Sequence, residues 1–158
     1  MLKLQAMTED EYLAYKAWLV EDYAGDLSRN FRLPMDEARA NSAREIDGAL
    51  SQGLSTPNLF FYNILLAADG GESRLGYLWI EVDSQRKRCF INDIYLHAEF
   101  RHQGWGRKVL ELLETDMKQQ GITRIGLSVF GDNTNAQEFY RKMGYVVTNM
   151  NMVKWLGE

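Results

Sequence analysis

A strand-like apolar run, a short basic loop with two glycines and an amphipathic helix follow one another at Cys89–Leu96, Arg101–Lys108 and Val109–Gln119. No other part of the chain limits the fold so strongly. Gly104 and Gly106 let the backbone turn tightly and come close to a ligand. A helix that begins here aims its first N–H groups and the positive end of its dipole outward. Arg101, Arg107 and Lys108 add full positive charge at the same corner. Together these features predict a site for a phosphate or pyrophosphate.

Composition narrows the remaining choices. At 158 residues, 46% hydrophobic and 25% charged, the chain is expected to form one soluble globular domain, residues 1–158, with a sizeable core. A net charge of -4 argues against nucleic acid as a partner, because such binding leans on a broad basic surface. No apolar run approaches the roughly 20 residues that span a bilayer, so no membrane partner is expected. Met1-Leu2-Lys3-Leu4-Gln5 carries no secretory pattern. Cys89 is the only cysteine, which forbids an internal disulfide and points to the cytoplasm. With His97 and His102 as the only histidines, no metal site is expected.

Periodicity predicts the rest. Leu2–Met7 alternates as a first strand, and Thr8 with Glu11 forms a capping box for a helix to about Tyr23. A second helix starts at Pro34 and runs to about Leu50. Leu59–Ala67, Arg74–Asp83 and Cys89–Leu96 read as an antiparallel meander, with a hairpin turn at Asp69-Gly70-Gly71. Gly121 ends the helix that follows the loop, and Ile122–Phe130 is a fifth strand. Strand, crossover helix and strand predict a parallel pair of strands four and five. Asn133–Met143 is a short helix, and Tyr145–Leu156 is a final strand, either one long bulged strand or a tight hairpin.

In this order of elements the chain resembles the GNAT superfamily of acyl-CoA-dependent N-acyltransferases over nearly its whole length. Three pieces carry the resemblance. Asp93-Ile94-Tyr95-Leu96 runs into Arg101-His102-Gln103-Gly104-Trp105-Gly106, which fits the family's Arg/Gln-x-x-Gly-x-Gly/Ala loop. Asn133-Thr134-Asn135-Ala136 fits its Asn-x-x-Ala step, and Phe139-Tyr140-Arg141-Lys142-Met143-Gly144-Tyr145 fits its Phe/Leu-Tyr-x-x-x-Gly-Phe/Tyr ending. A lone glycine loop is weak; three motifs in order are specific. His102 stands where the family often has a third glycine, and Trp105 is bulkier than the usual aliphatic residue.

The resemblance implies an α/β GNAT-like fold: a mixed, mostly antiparallel sheet of six or seven strands with about four helices, strands four and five splayed apart. It implies acetyl-CoA as co-substrate, no metal, and a small-molecule or protein amine as acceptor. Gln103–Lys108 would offer main-chain amides to the pyrophosphate, with Arg101 and His102 beside them. Ile94, Tyr95 and Leu96 would bind the pantetheine arm through their backbone. Asn133 would bind the same arm or simply cap the helix after it, with Asn135 its competitor for either job. Tyr140 would be the general acid that protonates the leaving thiolate. The base is open between Asp93, Glu81 acting through water, His97 and a water chain. The resemblance also admits a homodimer. The rival readings are an acyl-CoA sensor that does not transfer, and a nucleotide fold using the loop for another phosphate. Alternating strands before the loop, with no second βα unit ahead of it, count against a Rossmann domain.

Overall fold

Thr8 opens the first helix as its capping box predicts. Its hydroxyl accepts from the Glu11 N–H at 3.3 Å, and the Glu11 carboxylate accepts from the Thr8 N–H at 2.9 Å. A computed structural model describes residues 1–157; Glu158, the end of the expected single unit, lies outside the described residues. Strand β1 (Leu2–Ala6) leads into helix α1 (Glu9–Phe31), which continues well past Tyr23. Gly25 disfavours that continuation by about 1 kcal/mol. Packing outweighs it: Ala24 and Leu27 extend the buried stripe of Tyr12, Tyr15 and Leu19, and meet Ala38 of helix α2 (Met35–Ala49).

Strands β2 (Leu59–Ala68), β3 (Gly71–Asp83) and β4 (Arg88–Leu96) form the expected antiparallel meander, and β1 pairs antiparallel with β2. Gly70 makes the first hairpin turn at φ 99°, a conformation that favours glycine. Helix α3 (Trp105–Gln119) crosses over to strand β5 (Arg124–Leu127), which lies parallel to β4, and helix α4 (Thr134–Lys142) follows. The sheet order is β1-β2-β3-β4-β5.

Two expectations are corrected. Among the described residues the sheet has five strands, not six or seven, because Tyr145–Leu156 pairs with none of them as a strand. The segment instead reaches the end of α1, where the Arg32 guanidinium lies 4.5 Å from the Trp155 ring centroid. Strand β5 is also shorter than Ile122–Phe130, for a reason that belongs to the site.

The two faces of the sheet differ in kind. Helices α1 and α2 cover an aromatic face that includes Tyr12, Tyr15, Phe61, Tyr77 and Trp79. Helix α3 covers an aliphatic face in which Ile64, Leu78, Ile80 and Ile91 meet Val109, Leu110 and Leu113, with Phe139 of α4 against the same cluster. Among the described residues, no helix is long and apolar enough to cross a membrane.

Candidate active site

Parallel pairing between β4 and β5 runs from Arg88↔Arg124 to Ile91↔Leu127 and stops. Strand β4 continues to Leu96 and the chain beyond β5 continues through Phe130, so the two part as they run on. A cleft of about 810 Å³ opens between them, with Asn92–Leu96 on one bank and Leu127–Phe130 on the other. Strands parted in this way leave main-chain donors and acceptors unpaired along a groove, which suits an extended ligand.

A β-bulge aims the first bank. Trp79 pairs with Asp93 but Ile80 pairs with Ile91, so Asn92 is the extra residue on β4. Bulges bend a strand and redirect the side chains next to it. Gly76 holds the far end of the same bank. A Cβ there would sit 1.7 Å from the Tyr95 carbonyl oxygen and 2.9 Å from the Leu96 Cα, so only glycine lets β3 and β4 lie this close. Sequence reading passed over Gly76; its signal was a lone glycine among large strand residues.

The loop after β4 is a single turn of 3-10 helix (Ala98–Phe100) followed by two left-handed residues, His102 at φ 60° and Gly104 at φ 84°. The two loop glycines serve different ends. A Cβ on Gly104 would meet nothing within 4 Å, so this glycine is required by its backbone angle and leaves open space at the start of α3. A Cβ on Gly106 would lie 3.4 Å from the Phe139 ring, so this one permits close packing on α4. Arg101 and His102 line the cleft. Arg101 Nε donates to the Leu96 carbonyl at 2.8 Å, and its guanidinium lies 5.1 Å from the Tyr95 ring centroid. Gln103, Trp105, Arg107 and Lys108 stand outside the cleft wall at the head of α3. Gln103 donates to the Glu99 carbonyl, Lys108 lies over the Trp105 ring, and Arg107 pairs with Glu111 at 3.0 Å.

Of the expected reacting groups, Asp93, Tyr140 and Asn133 come together in the cleft wall, with Ile94, Tyr95 and Leu96. Glu81 does not. It is exposed, and it lines a separate slot at the outer edge of β5. His97 lies outside the cleft wall between the Tyr77 and Tyr95 rings, each 5.5 Å away. Asn133 caps α4, its Oδ1 accepting from the Ala136 N–H at 3.2 Å, and also lines the cleft beside Asn135. The capping reading of Asn133 is thus seen directly, and its Nδ2 group is not used in the cap.

The Asp93 carboxylate accepts a 2.6 Å hydrogen bond from the Tyr15 hydroxyl. Burial pushes Asp93 up to about 6; the Tyr15 bond opposes that rise, and the charges of Asp22 and Asp26 add to it. Tyr15 lies in the core, and its phenol also reaches the candidate base, a contact between residues 78 apart that leaves no mark in the sequence. Asp22 and Asp26 line the α1 side of the cleft. Burial raises both, Asp26 to about 6 even with Arg29 bonded to it at 2.6 Å. Arg29 also pairs with Asp132 at 2.9 Å, so its charge is shared. The cleft is thus acidic toward α1 and basic toward the loop. Burial raises Tyr140 to about 12, helped by Tyr145 and Asp93. Cys89 is buried under the sheet with its thiol raised to about 11 by burial, a poor setting for a nucleophile.

Known proteins agree with this geometry. Residues 14–145 match the model of the acetyltransferase (GNAT) family. An uncharacterized N-acetyltransferase of Bacillus subtilis (strain 168), YdgE, is 32% identical over 97% of each chain. The crystal structure of YycN, also from Bacillus subtilis, is 25% identical and overlays the whole of both chains with a TM-score of 0.92. The PaiA N-acetyltransferase of Thermoplasma acidophilum, solved in complex with coenzyme A, shares the fold at a TM-score of 0.68 and 16% identity, over 96% of this chain and 93% of that one. By its motifs, its parted strands and these likenesses, the chain belongs to the GNAT family of acetyltransferases.

Proposed function

We propose that the protein transfers an acetyl group from acetyl-CoA to a primary amine by direct attack within a ternary complex. The observation that carries this reading is one cleft in which Asp93 and Tyr140 face a groove of unpaired strand edge, with an open glycine turn at its basic end. The residues fit coenzyme A. Backbone groups of Ile94, Tyr95 and Leu96 bind the pantetheine arm, and a main-chain N–H on that bank polarises the thioester carbonyl. The amides at the head of α3 hold the pyrophosphate, where Gly104 leaves room. Arg101 and His102 stand beside it.

Asp93 takes a proton from the incoming ammonium. A carboxyl near 6 is ionised at neutral pH yet basic enough to accept a proton. Tyr140 returns a proton to the departing thiolate. With the phenol near 12, that transfer would be strongly uphill to a thiolate in water. A leaving thiolate held in the same cleft is likewise deprived of water, which raises its basicity toward that of the phenol. Asp22, Asp26 and Glu45 make the acceptor end acidic, which favours an amine that carries positive charge.

Following thiol release from acetyl-CoA across a panel of cationic amines tests the proposal. Turnover on at least one amine is expected; tight CoA binding with no turnover on any amine would leave a sensor instead. Gly104→Asp should weaken CoA binding at least tenfold by adding bulk and negative charge at the pyrophosphate. Unchanged affinity would mean that the loop does not hold that group.

A further inference from the structure

The two banks of the cleft are held in different ways. The first is a strand, since β4 pairs with β3 as far as Leu96. The second is not. Pairing of β5 with β4 ends at Leu127, and residues 128–133 belong to no strand. A stretch without ladder bonds keeps one position only if other contacts fix it. Some of these are local. The Asn133 N–H donates to the Phe130 carbonyl at 3.1 Å, and the Gln137 amide donates to the carbonyls of Phe130 and Gly131 at 3.1 and 3.2 Å. Those bonds tie the bank to α4 and leave its distance from the rest of the cleft unset.

A second tie comes from the last turns of α1 and converges on Asp132. Asn30 Nδ2 donates to Asp132 Oδ1 at 3.0 Å, Asn30 Oδ1 accepts from the Asp132 N–H at 3.1 Å, and Arg29 Nε donates to Asp132 Oδ2 at 2.9 Å. One side-chain amide that bonds both the carboxylate and the N–H of a residue fixes its place and its direction. Asn30 is itself anchored, its Nδ2 also donating to the Asp26 carbonyl at 2.9 Å. Nearby, Tyr23 of α1 meets Phe130 of the bank with ring centroids 6.0 Å apart. The bonds from Asn30 and Arg29 hold the Asp132 carboxyl below its ordinary range. This latch adds little to folding, because the Arg29 and Asp132 side chains are 59% and 38% exposed. The same guanidinium also faces the acceptor end: Arg29 Nη2 donates to Asp26 Oδ1 at 2.6 Å, and Asp26 lines the cleft with Asp22. One cation therefore serves two carboxylates, Asp26 at the acceptor end and Asp132 next to Asn133.

We infer that Arg29, Asn30 and Asp132 are positioning residues for the coenzyme, and that Arg29 couples the two ends of the cleft. This rests on the acetyl-transfer proposal, in which the acyl-CoA arm lies against the second bank. A cationic acceptor that settles on Asp26 competes with Arg29 for its carboxylate. The guanidinium is then drawn by Asp132 alone, and the latch closes more firmly where Asn133 and the bank meet the arm. A charged acceptor thus raises the affinity for acyl-CoA, and by linkage acyl-CoA raises the affinity for the acceptor. With the acceptor end empty, Arg29 is divided between its two partners and the bank is held less tightly, which lets the coenzyme exchange.

Coenzyme A is the probe, titrated into the full chain by calorimetry, with a melting curve for each variant. Asp132→Ala should weaken binding about tenfold yet melt within about 4 °C of the unaltered protein, because the pair it breaks is exposed. Asn30→Ala removes the other half of the latch and should show the same split, which decides the point if Asp132→Ala fails to fold. A lowered melting temperature with unchanged affinity would make the contact merely structural and overturn the positioning role. Asp26→Asn imitates an occupied acceptor end by removing the competing charge, and should tighten binding about threefold. With Arg29→Gln in the same chain that gain should vanish, since no shared cation remains. A gain that persists there would be direct repulsion between Asp26 and the coenzyme's phosphates, and would overturn the coupling. Absence of coenzyme A binding by the unaltered chain, or binding indifferent to Gly104→Asp, would sink the acetyl-transfer proposal and the latch with it. Binding that responds to Gly104→Asp but to neither latch variant would remove the latch alone.

Discussion

The aromatic and aliphatic faces of one sheet have opposite tasks. On the α3 side, Leu75, Leu78, Ile80, Leu110 and Leu113 are almost fully buried and carry no polar side-chain atom. On the α1 side, bulk comes from rings that carry hydroxyls or an indole N–H, and three buried polar atoms, Tyr12 Oη, Asn63 Oδ1 and Trp79 Nε1, have no partner among the described residues. Unpaired buried polar groups and partly buried carboxylates disfavour the folded state. The α1 side holds three such atoms, against two toward α3, Glu114 Oε2 and Tyr145 Oη, and it alone holds the buried carboxylate of Asp93. Strand alternation sends neighbours such as Leu78 and Trp79 to opposite sides, so Asp93 belongs with the aromatic face while Tyr140 of α4 packs against the aliphatic cluster.

The sharpest break of that contrast is Asp93→Asn. Loss of the base should lower kcat/KM by about 10²–10⁴. Stability should move the other way. The folded carboxyl titrates near 6, above its unfolded value near 4, so the native state holds the proton more tightly. Its stabilising contribution is complete below about pH 4 and is lost as pH rises through 6. At pH 8 the asparagine variant should therefore be about 1–3 kcal/mol more stable, melting several degrees higher, while at pH 4 the advantage disappears. Melting curves at the two pH values check this, and a variant less stable at pH 8 would remove Asp93 from the strained face.

On the opposite face, Leu113→Ala should cost about 2–5 kcal/mol, because the side chain is 1% exposed and leaves a cavity within the aliphatic cluster. Denaturant unfolding measures the loss, and kcat of the folded enzyme should stay at the wild-type value. A fall in kcat equal to that of the Asp93 variant would end the division of labour. Tyr140→Phe is the next smaller effect. It should lower kcat about 100-fold with CoA affinity retained, since the ring packing with Phe139 and Tyr145 survives and only the proton donor is removed. Unchanged turnover would mean that water or solvent buffer protonates the thiolate.

How much of this was legible before any coordinates depended on the kind of interaction. The meander, the parallel crossover, the capping box at Thr8 and the glycine turn are local or periodic, and each left its mark in residue order. The number of strands did not, because residues 145–156 have the composition of a strand while pairing is a property of two segments, and among the described residues these pair with none. Glu81 stood next after Asp93 as a candidate base, since both are acids on neighbouring strands. The bulge at Asn92 and the splay beyond Ile91 determine which of them meets the cleft, and neither has a sequence signature. Gly76 and Tyr15 were hidden for a related reason. Their roles are contacts with β4 made across 19 and 78 residues of chain respectively, seen only once the sheet is assembled.

Tyr15 offers the finest test of the contrast, because it lies in the aromatic core and also touches the base. Its hydroxyl donates to the Asp93 carboxylate, and a bond to the charged form holds the carboxyl lower than burial alone would leave it. Tyr15→Phe keeps the ring against Trp18, Phe61 and Tyr77 and deletes only that donor. Losing a hydrogen bond to a charged group, worth about 1.5 kcal/mol, should move the acid limb of kcat/KM from about 6 upward by about one pH unit. The rate at pH 8 should barely change, while the rate at pH 6 should fall severalfold. A merely structural tyrosine would instead scale the whole profile down and leave its midpoint in place. An unmoved midpoint would therefore detach Tyr15 from the chemistry, and would point to a group other than Asp93 as the one whose ionisation limits the reaction.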